Sequence, residues 1–516
     1  MDRPAVAPDS RPSRVFAAQT LAVGALVLAA AAWLGSSLVA IANFAFRYPA
    51  FDQYRLYPGY LRLPFPANAL QSENGHHPVL PTLVRLAELR WFAADQRLQI
   101  AVGVGTALAT LLAIVWVVLR ERSTAPAARA AACLLAVVAL FWLGNARTLM
   151  HGYEAVHVYP TTLLGTLALL AAARARAGRA ARRLALAGLA CAGATFCFGG
   201  GLASFVAAAL VAALGGARAR ALGVLGAAFA AAMLVYVFVL PGDAHVRAAL
   251  SFDPLGVAAA MARWLSSPWM HAWLGDADAI ARASSPHSAP VRVLAASAHV
   301  AALPFGADAN MSRERFAVGA LGIVAYACAL AGAWRTRATL GSARLLAIGL
   351  ATFTLATAAI VCLARVDLFT RLPGQVIADR YSPWPCLFWF ALALYALAGA
   401  AATRARGRDA RRALVAGGLV VFAFLPSQRT QAIWSSLVYR RVQLSAVAAQ
   451  LGIGEDRPIY GPSDASPALA LDTLDLLKRA HLSMFAEPAY ALVEHGWQAP
   501  DELPPAPAGA AARVVR

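Results

Sequence analysis

The chain has 516 residues, of which 60% are hydrophobic and only 14% are charged. An ordinary soluble domain contains about 45–50% apolar and about 25% charged residues, so this composition excludes one. Most apolar residues fall in blocks of about 20, which is the length of a helix that crosses a bilayer. We therefore predict an all-α polytopic membrane protein.

The formal net charge is +19, and its distribution indicates how the chain is oriented. Six short segments hold 21 of the 45 Lys and Arg residues but only 4 of the 26 Asp and Glu residues. Short arginine-rich loops stay on the cytoplasmic side, next to anionic lipid head groups. The basic excess therefore sets the membrane topology, and we predict no nucleic-acid partner. The six segments are residues 1–14, 120–129, 174–183, 218–220, 335–344 and 404–412.

The first predicted helix, residues 15–46, leaves residues 1–14 in the cytoplasm and leads into an outer loop at residues 47–97. A second outer loop, residues 241–315, contains the tryptophan-rich segment "DPLGVAAAMARWLSSPWMHAWLG". Tryptophan favours the membrane interface, so the outer loops are expected to carry short interfacial helices. The other single spans are predicted at residues 98–119, 130–146, 158–173, 221–240, 316–334, 345–364, 385–402 and 413–425.

The segment at residues 184–214 has arginines at both ends and is interrupted by "FGGG". One span cannot have both ends in the cytoplasm. We therefore predict two short helices that turn at residues 199–201 inside the protein, because lipid does not tolerate unpaired backbone. The alternative is one long tilted helix with a glycine kink. Counting the pair as two gives about eleven membrane helices within residues 15–425, followed by an external segment, 426–516, with a disordered tail.

With this topology the polar motifs collect at the outer face. They include Asp52 and the stretches "SENGHHPVLPTL", "HGYEAVHVYP" and "ADRYSPWP". A transporter usually places ionisable groups at mid-membrane depth, where this chain has few. None of the six cysteines has the CxxC spacing of a metal site, so neither a metal centre nor a disulfide framework is predicted.

The order of these motifs resembles that of GT-C superfamily glycosyltransferases, in particular a bacterial branch with an early acidic residue and an "HNEHR…P"-like stretch in the first outer loop. "RYPAFDQY" looks like the acidic part and "ENGHHPVLPTL" like the second stretch. "HGYEAVHVYP", "FCFGGGLASF" and "DRYSPWPCLFW" resemble later landmarks. In the second stretch the acidic position falls on Gly75, with Glu73 two residues earlier, and the arginine position is occupied by His77.

The resemblance implies a GT-C-like architecture and the transfer of a sugar from a polyprenyl-phosphate donor to an envelope glycan or lipid acceptor. The reaction would take place at the outer face of a bacterial inner membrane, with the N-terminus cytoplasmic and the C-terminus periplasmic. The early carboxylate falls on Asp52, as general base or acceptor-binding group, and Glu73 is the second catalytic candidate. The lipid-linked sugar is a co-substrate, and no metal or other cofactor is expected.

The chemistry of the residues points to the same roles. Glycosyl transfer from a phosphate-linked donor needs a base for the acceptor hydroxyl and hydrogen-bond donors for the leaving phosphate. Asp52 or Glu73 could act as the base. Arg380, His76 and His77 could contact the phosphate, and the arginine fork suits phosphate oxygens.

Glu154 and Tyr381 complete the predicted substrate site. Several candidates also have a structural alternative: a solvated loop carboxylate for Asp52, a loop pair that caps or packs on prolines for His76 and His77, a helix cap or interfacial ion pair for Glu154, and a lipid anchor for Arg380. At the level of the whole chain, the alternative function is a non-catalytic membrane component or a transporter for envelope polysaccharide. An enzyme needs carboxylates that converge on a cavity at the outer face, whereas a transporter needs a polar path through the helices.

Overall fold

The fold, obtained as a computed structural model, is helical throughout the residues that the structure describes. These are residues 11–51, 53–175, 180–241, 253–274, 312–399, 406–452, 467–488 and 490. They contain no β-strand, and one isolated bridge pairs Glu73 with His76. The predicted all-α class is confirmed. Most of the outer loop at residues 241–315 and the predicted disordered tail lie outside the described residues.

Residues 11–173 form eight α-helices, α1 to α8. A short 3₁₀ turn, Leu143–Asn145, precedes α7. The helices are α1 (Arg11–Phe44), α2 (Gln53–Arg62), α3 (Ala67–Leu70), α4 (Val79–Trp91), α5 (Arg97–Arg120), α6 (Pro126–Phe141), α7 (Ala146–Met150) and α8 (Gly152–Ala173).

Residues 180–479 contribute ten more α-helices within the part that the structure describes. A π-helical turn, Val235–Val239, extends the third of them, α11. The helices are α9 (Ala180–Cys197), α10 (Ala203–Leu214), α11 (Ala219–Leu234), α12 (Pro254–Leu265), α13 (Ser267–Leu274), α14 (Ser312–Arg335), α15 (Ser342–Arg371), α16 (Pro383–Leu397), α17 (Arg406–Leu451) and α18 (Pro467–Arg479).

Eight of the described helices are long and apolar enough to cross a membrane. They correspond to α1, α5, α6 with α7, α8, α11, α14, α15 and α17. In α6 with α7 and in α15, 89% and 78% of the most apolar stretch is buried, against 11% in α11. The first two are therefore central helices, and α11 has most of its surface available to lipid. The count of about eleven requires α9, α10 and α16 to be inserted as well, and it stays a prediction.

The predicted turn at residues 199–201 is confirmed. Helix α9 ends at Cys197, a 3₁₀ turn occupies Gly199–Leu202, and α10 begins at Ala203. Gly215, just after α10, lies beside the carbonyl of Ala173, which ends α8 before α9 begins. The two short helices therefore run antiparallel.

The arginine-rich connectors meet at one end of the bundle, which we call the basic end. The guanidinium groups of Arg120 and Arg174 both lie over the ring of Trp116, at 4.3 and 4.4 Å from its centroid. At the same end, Glu121 accepts a hydrogen bond from the backbone N–H of Ala343. The opposite end, formed by α2 to α4 and the segments packed on them, is the loop end.

The C-terminal segment packs against the first loop at the loop end. Thr473 on α18 donates a hydrogen bond to the carbonyl of Tyr54 on α2, and Asp472 pairs with Arg62. The sequence predicts the last membrane helix at residues 413–425, followed by an external segment. The structure instead carries α17 through Pro426 to Leu451. A single 46-residue helix therefore connects the bundle to the loop end.

Candidate functional site

A cavity of about 860 Å³ lies at the loop end, between the first loop and the central helices. One part of its wall is polar, and the apolar part comes mainly from α15, the turn between α9 and α10, the π-helical turn after α11 and the start of α16. The polar lining includes Arg55, Glu73, His76, Glu154, His157, Arg365 and Arg380. The apolar lining includes Leu56, Phe198, Tyr236, Ile360, Leu368 and Trp384. Such a cavity suits an amphipathic ligand.

An Asn-Gly turn shapes the part of the first loop that reaches the cavity. Asn74 and Gly75 both have positive φ, 51° and 77°, which is the conformation of a type I′ turn and the reason that this dipeptide is favoured there. The residues that flank the turn, Glu73 and His76, exchange two backbone hydrogen bonds of 2.8 and 2.9 Å. Directly paired residues project to the same face, so Glu73 and His76 both reach the cavity.

Glu73 forms a buried ion pair with Arg85 of α4, and only 3% of each residue is exposed. The guanidinium Nη1 lies 2.5 Å from Glu73 Oε1, and Tyr60 donates a hydrogen bond to the same oxygen. Burial alone would raise the pKa of the Glu73 carboxyl, but Arg85, with His157 and Tyr60, lowers it to about 2. The carboxylate is therefore ionised at every physiological pH.

Arg85 extends this network to α8. Its Nη2 donates to the carbonyl of Tyr153 at 3.1 Å and lies 3.0 Å from His157 Nε2. The guanidinium also lies over the Tyr153 ring, 4.3 Å from the centroid. The pKa of Arg85 is raised, since the attraction of Glu73 outweighs the burial that would lower it. The pair fixes the first loop against α8.

A second arginine–carboxylate group lies one turn earlier along α8. Arg147 of α7 contacts Glu154 Oε1 through Nε and Nη2, both at 2.8 Å, and reaches Asp379 Oδ1 at 3.3 Å. Glu154 is 8% exposed, and its Oε2 accepts no hydrogen bond among the described residues. Arg147 therefore joins α8 to the segment before α16 and holds Glu154 by one oxygen.

Two half-buried arginines line the cavity opposite these carboxylates. Arg365 is on the last third of α15, and Arg380 donates to Gln375 at 3.1 Å. Both guanidinium groups lie near the ring of Tyr381, at 6.0 and 5.1 Å from its centroid. Arg365 has no carboxylate within ion-pair distance in the part of the chain that the structure describes. The positive charge of Arg365 is therefore available to an anionic ligand.

The two adjacent histidines have different surroundings. The ring of His76 packs on Phe198, with centroids 4.8 Å apart, and a Cβ on Gly199 would overlap it. Burial, and then the charge of Arg365, lower the pKa of His76 to about 3, so it is neutral at physiological pH. His77 is 5% exposed and packs edge-on against Tyr236. It lies behind the cavity wall, so the prediction of a direct phosphate contact from His77 has no geometric support.

Most of the other predicted site residues meet at this cavity. Glu73, His76, Glu154, Arg380 and Tyr381 all line it, although Arg380 and Tyr381 are more than 200 residues from the other three. Asp52, the predicted base, lies outside the described residues. The described residues contain no cluster of three or more His, Cys, Asp or Glu side chains that could hold a metal ion.

Sequence reasoning missed the arginines that organise the site. Arg85 is the one charge in the apolar run "VLPTLVRL", and such an isolated charge on a helix is a signal for a buried partner. No role was predicted for Arg147 or Arg365, which directly follow the predicted spans at residues 130–146 and 345–364. His157 had a visible signal, since Glu154 and His157 are three residues apart on one helix and share a face.

The comparisons with known proteins add no family assignment. No family model matches the chain, and neither a curated protein nor a solved structure matches it. The function must therefore be inferred from the site itself.

Proposed function

We propose that the protein is a GT-C-type inverting glycosyltransferase with about eleven membrane helices. In this proposal it moves a sugar from a polyprenyl-phosphate donor to an envelope glycan or lipid acceptor, at the outer face of a bacterial inner membrane. The N-terminus is cytoplasmic, and the loop end, with the C-terminal segment, faces the periplasm. No cofactor takes part in the proposed reaction.

The observation that carries this proposal is the amphipathic character of the cavity. Arg365 and Arg380 offer charge to a phosphate, and arginine binds phosphate oxygens in a bidentate manner. Ile360 and Leu368, on the same face of α15 as Arg365, offer an apolar surface to a polyprenyl chain. The membrane helices that line the cavity would let a lipid-linked donor enter from the bilayer.

The reaction needs one bond to form and one to break. The acceptor hydroxyl oxygen attacks the anomeric carbon, and the bond from that carbon to the phosphate oxygen breaks. The electron pair leaves with the polyprenyl phosphate, whose growing charge Arg365 and Arg380 stabilise. The hydroxyl proton passes to a carboxylate. Attack opposite the leaving group inverts the anomeric configuration.

Glu73 is better suited to positioning than to proton transfer. A carboxylate with a pKa of about 2 is a weak base at neutral pH, since an efficient base has a pKa near the working pH. Its contacts with Arg85 and Tyr60 instead fix the Asn-Gly turn. Glu73 then holds His76 against the cavity through the paired backbone.

The alternative, a non-catalytic component or a transporter, predicts charged groups along a path through the membrane. In the described helices the charges at the cavity, Glu154, Arg365 and Arg380, are all near the loop end. This distribution favours chemistry at one membrane face. It supports the enzyme over the transporter.

The experiment is to measure binding of polyprenyl phosphate, the product common to such donors, by native mass spectrometry of the protein in lipid nanodiscs. We expect Arg365→Ala to weaken binding about tenfold or more, because a hydrogen bond to a charged group contributes about 1.5–3 kcal/mol. Arg371→Ala is the matched control, since Arg371 is exposed on the same helix and outside the cavity. Wild-type protein that fails to bind polyprenyl phosphate would contradict the proposed function.

A further inference from the structure

The cavity has a further arginine, Arg55, at a different place from Arg365. Arg55 is on α2, which belongs to the loop end, whereas Arg365 is on α15, one of the helices that could cross a membrane. The Nη2 of Arg55 donates a hydrogen bond of 2.7 Å to Oδ1 of Asn74 in the Asn-Gly turn. Within the part of the chain that the structure describes, no carboxylate lies within ion-pair distance of Arg55.

The carboxylates that line the cavity have partners other than Arg55. Glu73 pairs with Arg85 at 2.5 Å. Glu154 pairs with Arg147 at 2.8 Å. Neither of these two partner arginines lines the cavity, so the negative charges of the wall are compensated from behind it. The charge of Arg55 therefore remains available to an anion that enters the cavity.

The guanidinium of Arg55 is both held in place and accessible. The hydrogen bond to Asn74 fixes one of its nitrogens, which lowers the ordering cost of binding a ligand. Its Nε and Nη1 are neither buried nor hydrogen-bonded to any described residue. The remaining N–H groups can donate to the oxygens of a phosphate or a carboxylate, which arginine binds in a bidentate manner.

Resting on the glycosyltransferase proposed above, we infer that Arg55 binds an anionic group of the acceptor. The acceptor is then a glycan or glycolipid that carries a phosphate or a uronate carboxylate close to the hydroxyl that receives the sugar. The donor phosphate enters from the bilayer and lies near Arg365, on a membrane helix. An acceptor that arrives from water enters at the loop end, where α2 lies. The two arginines thus bind two different anions.

The first test examines the acceptor itself. The acceptor is isolated from a deletion strain as the molecule that gains the missing sugar when wild-type protein is added with the donor, and its charged groups are identified by mass spectrometry. We expect a phosphate or a carboxylate. Hydrofluoric acid removes phosphate, whereas carbodiimide activation followed by reduction removes carboxylate. The treatment that removes the anion should lower transfer by wild-type protein about tenfold or more, because a hydrogen bond to a charged group is a strong one.

The second test compares Arg55→Gln and Arg55→Lys with Arg62→Gln. Arg62 is the matched control, since it is on the same helix, outside the cavity, and 54% of its side chain is exposed. We expect Arg55→Gln to raise the KM for the isolated acceptor about tenfold or more and to keep the wild-type kcat, thermal stability and affinity for polyprenyl phosphate. Arg55→Lys should recover part of the loss, because lysine keeps the charge without the fork. Arg62→Gln should keep the wild-type KM.

Three outcomes overturn the inference while leaving the proposed function intact. They are an acceptor with neither phosphate nor carboxylate, a wild-type KM in Arg55→Gln, and a loss of polyprenyl phosphate binding in Arg55→Gln, which would place Arg55 in the donor site. A deletion strain with unchanged glycans, or wild-type protein that does not bind polyprenyl phosphate, would instead contradict the proposed function and the inference with it.

Discussion

Glu73 and Arg85 form an ion pair in which each residue is only 3% exposed. Forming this pair costs much hydration free energy, and losing one partner would strongly destabilise the protein. Two charges taken from water lose several kcal/mol of hydration each, and their mutual attraction repays this only with good geometry and further hydrogen bonds. Tyr60 and the carbonyl of Tyr153 supply those hydrogen bonds. The pair therefore fixes one arrangement of the loop, and either charge alone would be strongly destabilising.

Removing one partner of the Glu73–Arg85 ion pair should reveal this destabilisation directly. Arg85→Met leaves Glu73 buried and unpaired, and we expect it to lower the free energy of unfolding by about 3–5 kcal/mol. The exposed pair between Arg62 and Asp472 provides the control, and Arg62→Met should cost less than about 1 kcal/mol. Both are measured by denaturant unfolding in lipid bicelles. Adding Glu73→Gln to Arg85→Met should recover most of the loss.

An Arg85→Met protein no less stable than Arg62→Met would contradict this assignment. The comparison depends on burial, because the two arginines form ion pairs of the same length, 2.5 Å, while 4% of the Arg85 side chain is exposed against 54% for Arg62.

The residues of the site could be predicted from the sequence when they belong to a polar motif, and not when they are single charges. The "SENGHH" stretch indicated Glu73 and His76 as site residues, whereas the Asn-Gly turn that pairs them was seen only in the structure. Arg365 carries no local signal that distinguishes a functional residue from one near a helix end, and the isolated charge of Arg85 does not identify its partner. Their roles depend on helices that lie up to 280 residues apart along the chain, from α4 to α15, and only packing brings those together.

At the scale of elements, the turn between α9 and α10 was predictable because the charge pattern and the glycine pattern both indicated a turn. Arginines at both ends of this segment indicated that both ends lie on the same side of the membrane, and the three consecutive glycines allowed a turn between them. The structure adds the reason for glycine at one position: a Cβ on Gly201 would overlap the backbone carbonyl of Ala194. Helix α17 had the opposite outcome, since its membrane part was predicted to end at residue 425, whereas the helix continues through Pro426 to Leu451.

Because Gly201 lies close to the backbone carbonyl of Ala194, one added methyl group at this position should lower the stability of the protein. Gly201→Ala should lower the free energy of unfolding by about 1–3 kcal/mol, because overfilling a tight site forces the backbone to shift. Gly105→Ala on α5 is the control, since a Cβ there would meet nothing within 4 Å and alanine favours a helix over glycine. Thermal unfolding of the two variants, side by side, is the measurement. Equal stability of Gly201→Ala and wild type would mean that the turn is looser than described.

At the scale of the whole molecule, the charge pattern and the fold agree about which segments share an end. The arginines of α5 and the α8–α9 connector meet over Trp116, as expected if short basic loops remain on one side. The loop end collects the Asn-Gly turn, the cavity and α18. The sequence could not predict how far the C-terminal segment returns to the first loop, because contacts such as Thr473 with Tyr54 are specific to the packed structure.

This division predicts which residues an impermeant thiol reagent reaches. Single cysteines in a cysteine-free variant are placed at Phe65 and Leu471 of the loop end and at Ser123 and Ala338 of the basic end, all of which are exposed. In intact spheroplasts we expect Phe65→Cys and Leu471→Cys to react, because positive charge holds the other end in the cytoplasm. Ser123→Cys and Ala338→Cys should react only after permeabilisation. The reverse labelling pattern would mean that the protein has the opposite orientation in the membrane. The cavity would then lie at the cytoplasmic face, where periplasmic envelope acceptors are absent.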